Sequence, residues 1–107
     1  MRYLMMQKAD GREPTPQLYA DMAAFVQELT ASGVLLATGG LDPAGFKITS
    51  EGDDISVVDG PFTEAKEAIA GFALIEVRSK EEAIELGRRF RRIVGDGEST
   101  VQQVFGP

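Results

Sequence analysis

At 107 residues, 43% hydrophobic and 26% charged, the chain has the size and balance of one globular domain over residues 1–107, and no stretch approaches membrane-spanning length. A formal charge of −6 opposes attraction to phosphate backbones and anionic lipid, which argues against nucleic acid and membrane as partners. Zero Cys and zero His remove disulfides, thiolate catalysis, sulfur-ligated metals and the imidazole proton shuttle, so no metal site and no cofactor is expected.

The opening run Tyr3 to Gln7 is short and mostly apolar and stops at Ala9-Asp10-Gly11, which predicts a central strand. It is too short for the core of a signal peptide, and the expected location is cytoplasmic. Thr15-Pro16 then reads as a helix cap followed by proline at the first helical position. Leu18, Met22, Phe25, Val26 and Leu29 recur at helical spacing up to Gly33, a C-terminal stop. Val34 to Thr38 is the second predicted strand, ended by Gly39-Gly40. Gly45 to Thr49 and Ile55 to Val58 form a predicted hairpin around the polar connection Ser50 to Asp54. Ile69 to Val77 has the apolar density of another central strand. Ser79-Lys80-Glu81-Glu82 fits a capping box opening a second helix, in which Ala83, Leu86, Phe90 and Val94 share the buried side. Gly95-Asp96-Gly97 ends that helix and Thr100 to Phe105 supplies the last strand.

Setting the hairpin aside, this order is βαββαβ, the split βαβ arrangement of a ferredoxin-like α+β fold with two helices on one face of an antiparallel sheet. The other sheet face then needs a cover. Apolar residues on both sides of the strand around Phe72, Leu74 and Ile75 make a second copy the economical one, so a homodimer is expected.

Asp59-Gly60-Pro61-Phe62, followed by Thr63-Glu64-Ala65-Lys66-Glu67, resembles the DGPF motif region of the YCII-related family. The resemblance extends over nearly the whole chain through the Gly39-Gly40-Leu41 segment and Gly71-Phe72-Ala73-Leu74-Ile75-Glu76-Val77. It implies a dimeric α/β-barrel of ferredoxin-like type, with a ligand cavity between or beside the sheets, and no assigned reaction. Some members are proposed to use a His with an Asp. This chain has no His, so only the Asp59 half of such a site is carried over.

Asp59 is the candidate catalytic residue, as a general base or a ligand-orienting carboxylate. The competing reading makes it an Asp that accepts from the amides of its own turn. Glu64, Lys66 and Glu67 set both charge signs beside that turn and are candidate binding residues for a small anionic or carbonyl-bearing ligand; otherwise they form a solvated connector. Gly39 and Gly40 are candidates for close approach by a ligand or a partner subunit, or simply a strand-ending turn. Arg88, Arg89, Arg91 and Arg92 form a basic cluster near a helix C-terminus, where cations complement the dipole. Two functions remain: a small-molecule-binding or regulatory domain, and a small enzyme using Asp59 on a lactone- or enol-type substrate.

Overall fold

The computed structural model describes residues 1–9, 12–60 and 68–106. The Asp10-Gly11 turn, Pro61, Phe62 and the charged run holding Glu64, Lys66 and Glu67 lie outside the described residues. The elements are β1 (Arg2–Lys8), α1 (Pro16–Ala31), β2 (Leu35–Gly40), β3 (Phe46–Glu51), β4 (Asp54–Asp59), β5 (Ile69–Glu76), α2 (Lys80–Val94) and β6 (Ser99–Val104).

Four strands form an antiparallel sheet in the order β2-β5-β1-β6. Because β5 lies between β1 and β2, the βαβ units are split, and the fold is the ferredoxin-like α+β arrangement that the element order predicts. Strand alternation decides the layers. Tyr3 and Met5 of β1 pair with Ile75 and Ala73 of β5, and Tyr3, Met5 and Ile75 pack with Phe25 and Leu29 of α1 and Ala83 and Leu86 of α2 into one core. Removing each of the larger apolar side chains here (Met5, Phe25, Leu29, Ile75 and Leu86) from water contributes about 1.5–3 kcal/mol. In α2 it is Ile93 rather than Val94 that packs against this core beside Phe90.

Both helix starts follow from local chemistry. The Leu18 amide donates to the Thr15 hydroxyl (3.1 Å), with Pro16 next to the cap. The Glu82 amide donates to the Ser79 hydroxyl (3.1 Å), but the Glu82 carboxylate returns the bond to the Arg78 amide (3.1 Å) instead of the cap residue's own amide. Gly33, at φ +78°, reverses the chain after α1 as a C-terminal glycine does. No helix among the described residues is long and apolar enough to cross a membrane.

Most strand boundaries differ by a residue from the sequence reading, and two differences matter for the architecture. β2 does not stop before Gly39 and Gly40 but includes them as its last two residues; they pair with Phe72 and Gly71 of β5, and the Leu41 amide extends the ladder to the Ala70 carbonyl (2.8 Å). The hairpin strands run further toward each other than expected. Glu51 pairs with Asp54, leaving Gly52-Asp53 as a two-residue turn in which Gly52 takes φ +59°. A glycine in the first turn position suits the twist of a tight hairpin, so the polar connection is short.

β3 and β4 form a separate two-stranded sheet in which every residue is exposed. Their register puts Phe46, Ile48, Ile55, Val57 and Asp59 on one side, and the four apolar members are 62–71% exposed. A radius of gyration of 16.1 Å, against about 13 Å for a compact chain of this length, fits an arm standing away from the main body.

Candidate functional site

Between the helices and the sheet lies a cavity of about 230 Å³. α1 contributes Met22, Phe25, Val26 and Leu29; α2 contributes Leu86 and Phe90; and Gly39, Gly71 and Ala73 line the sheet side. Its walls are apolar because the α1, α2, Met5, Ala73 and Ile75 positions are those that face between the helices and the sheet. Polar side chains enter at two places, Gln7 and Thr38, and none of the described lining residues carries a charge.

Both polar groups are held. The Gln7 side-chain oxygen accepts from Arg91 Nη1 (2.6 Å) and from the Ser99 hydroxyl (3.1 Å). The Thr38 hydroxyl donates to the Phe72 carbonyl (2.9 Å). Glycine is needed where the backbones crowd. A Cβ at Gly39 would lie 3.2 Å from the Phe72 ring, and one at Gly71 would lie 3.2 Å from the Gly39 carbonyl oxygen. What approaches Gly39 closely is therefore the chain's own Phe72. Gly40 pairs with Gly71 but does not line the cavity.

Asp59 lies elsewhere. It ends the exposed β4 opposite Phe46, and it is absent from the cavity lining. The Gly60 amide next to it donates to the Gly45 carbonyl (2.6 Å), and the later amides of the turn that Asp59 opens lie outside the described residues. A side-chain cap forms at Asp42, which accepts from the Ala44 amide (2.9 Å). Of the predicted binding residues, Gly39 lines the cavity, while Glu64, Lys66 and Glu67 lie outside the described residues. Tyr3 is buried in the core and Tyr19 is exposed.

The arginine cluster divides among separate tasks. Arg89 makes a two-pronged ion pair with Glu28 (2.8 Å each) that ties α2 to α1 and lies over the Phe25 ring. These bonds hold the Glu28 carboxyl below its ordinary range and raise Arg89 further above neutrality. Arg88 bonds Glu85, and Arg91 reaches Gln7, Ser99 and the Gly95 carbonyl. A second, wider groove of about 520 Å³ runs between α2 and β6, with Lys80, Arg88, Arg91 and Arg92 among its lining residues. No cluster of carboxylates among the described residues is arranged to hold a metal ion.

Gln7 is the residue that sequence reasoning passed over. It is the one polar residue in Tyr3 to Gln7, and it shares the alternation of the buried Tyr3 and Met5. A polar side chain on the core-facing period of a central strand was the available signal.

Residues 1–105 match the family model of the YCII-related domain. The chain is a YCII-related protein. A curated relative of this YCII-related chain, an uncharacterized protein from Rhizobium meliloti (strain 1021), is 34% identical over 81 residues, which cover 73% of this chain and 64% of the relative. The chain thus spans under two-thirds of that relative's length. Among solved structures, the 5-chloro-2-hydroxyhydroquinone dehydrochlorinase from Burkholderia phenoliruptrix AC1100, in complex with 2,5-dihydroxybenzoquinone, aligns with a TM-score of 0.57. It covers 100% of this chain and 96% of its own at 16% identity, a likeness of fold.

Proposed function

We propose that this YCII-related chain is a small-molecule-binding domain that works as a homodimer, its ligand held between the helices and the sheet. The cavity carries the reading. Its volume of about 230 Å³ and its apolar lining suit a ring-sized occupant, whose burial there removes apolar surface from water on both sides. The fold neighbour's complex with a small quinone agrees with this use of the fold.

The second copy is argued from what lacks a cover. Register places Leu4, Met6 and Leu74 on the sheet face opposite the helices, where they are only half-buried. The apolar side of the hairpin is likewise open. Two such surfaces on one small chain complement each other across a two-fold pair, and a dimer buries both.

The binding reading is tested by following the Met5 and Met22 methyl resonances during titration with small aromatic compounds. Saturable shifts in the natural chain, lost in the cavity-filling Val26→Phe, are expected. Absence of any response in the natural chain would overturn it.

A second reading, an enzyme for a lactone- or enol-type substrate, has one observation of its own. Asp59 shares the apolar side of the hairpin with Phe46 and Val57, so covering that side with a partner sets a carboxylate beside an apolar surface that a substrate could share. In that reading Asp59 moves the proton and Lys66 binds an anionic group. Turnover of such a compound by the natural chain, abolished in Asp59→Asn, would displace the binding reading.

A further inference from the structure

We infer that the cavity selects an uncharged, ring-sized molecule carrying a hydrogen-bond acceptor, which the Gln7 amide receives and Arg91 orients. The inference deepens the binding reading and rests on it.

Charge decides the first part. The described lining contains no cation, so an anion entering it would shed water without gaining a counter-ion. Between the anionic and the carbonyl-bearing ligands that the sequence admits, the described walls favour the uncharged one.

Gln7 decides the second. An amide side chain has an accepting end and a donating end, and which end points where follows from its partners. Arg91 can only donate, and its Nη1 lies 2.6 Å from the Gln7 oxygen, with the Ser99 hydroxyl at 3.1 Å on the same atom. The oxygen is therefore committed toward α2 and β6. Nε2 is left with its two hydrogens and has no partner among the described residues, in a side chain that lines the cavity. A cation on the amide oxygen also draws electron density from the nitrogen, which strengthens N–H as a donor. Arg91 is itself fixed, because its Nη2 donates to the Gly95 carbonyl at 2.7 Å. Thr38 has committed its proton to the Phe72 carbonyl and so offers the cavity only an acceptor. The free donor in the described wall is thus Gln7, and it calls for a carbonyl or a similar acceptor on the ligand. Arg91 lines the groove on the far side of Gln7, not the cavity, and is a positioning residue.

Toluene, acetophenone and benzoate share a ring; the first offers Gln7 no acceptor, the second a neutral carbonyl and the third a charged carboxylate. Titrated into the natural chain, acetophenone should bind about tenfold more tightly than toluene, the worth of one well-made hydrogen bond, and benzoate more weakly than either. In Gln7→Leu, acetophenone should fall to the level of toluene while toluene itself is unchanged. Arg91→Met frees the amide to turn over, so the acetophenone preference should shrink with toluene again unchanged. Equal binding of toluene and acetophenone by the natural chain would overturn the inference, as would tightest binding of benzoate or a preference that survives Gln7→Leu. Toluene binding with no preference leaves the cavity as a binding site and sinks only the role of Gln7, whereas failure of all three compounds sinks the binding reading with it. Should Gln7→Leu fail to fold, the ratios in the natural chain still decide.

Discussion

Gly39 and Gly71 illustrate how one hydrogen atom in place of a side chain can serve two different neighbours. At Gly71 an added Cβ would sit 3.2 Å from the Gly39 carbonyl oxygen, which the β2–β5 ladder holds in place. At Gly39 the same distance separates the added atom from the Phe72 ring edge, and a ring can tilt. Gly71→Ala should therefore lower unfolding free energy by about 1–3 kcal/mol and Gly39→Ala by under about 1 kcal/mol, the usual range for overpacking into rigid and yielding surroundings. Urea denaturation of the two variants checks the order. A close approach at Gly39 was open to reading from the glycine pair, but the group that makes it, Phe72, was not. Gly39-Gly40 reads as a stop in its own neighbourhood, and only Gly71, distant in sequence, turns it into the end of a paired strand.

Between elements, the bond from Arg89 to Glu28 couples the two helices at their outer faces. Since the folded state holds the Glu28 carboxyl below its usual value, the carboxylate favours folding at pH above the unfolded carboxyl range. That contribution is lost as pH falls through the lowered folded value. Glu28→Gln should lower the melting temperature slightly at pH 7, and the difference from the natural chain should shrink at pH below about 4. Because the pair is exposed, added salt should shrink the difference at pH 7 as well; thermal unfolding at two salt concentrations measures both. The helices themselves were readable from sequence, since Thr15-Pro16 and Ser79 act on amides within one turn of themselves. The pair that ties them was not, because residues 28 and 89 meet only once the sheet has ordered both helices.

For the molecule as a whole, the element order and its YCII-related pattern were open to reading, and the cavity between the helices and the sheet was not. Asp59 draws attention in the sequence because it opens a distinctive motif, yet the cavity is built from ordinary core positions and a single glutamine. Sequence shows which residues are unusual; the sheet decides which ones meet. The hairpin supplies the test at this scale. If its apolar side closes a dimer, the natural chain should sediment at twice 11.5 kDa, and the double variant Ile48→Asp, Ile55→Asp should fall to that single mass while still binding acetophenone. A natural chain that sediments as a monomer would retire the paired arrangement.

The same arm also carries a liability. β3 and β4 pair only with each other among the described residues, so the arm sets strand edges beside exposed Ile and Val. That is the template on which chains aggregate. The acidic tip, with Glu51, Asp53 and Asp54, and the overall charge of −6 keep such edges apart at neutral pH. Near the isoelectric point, about 4.6, that repulsion vanishes, and colloidal stability rests on whether the arm is already occupied.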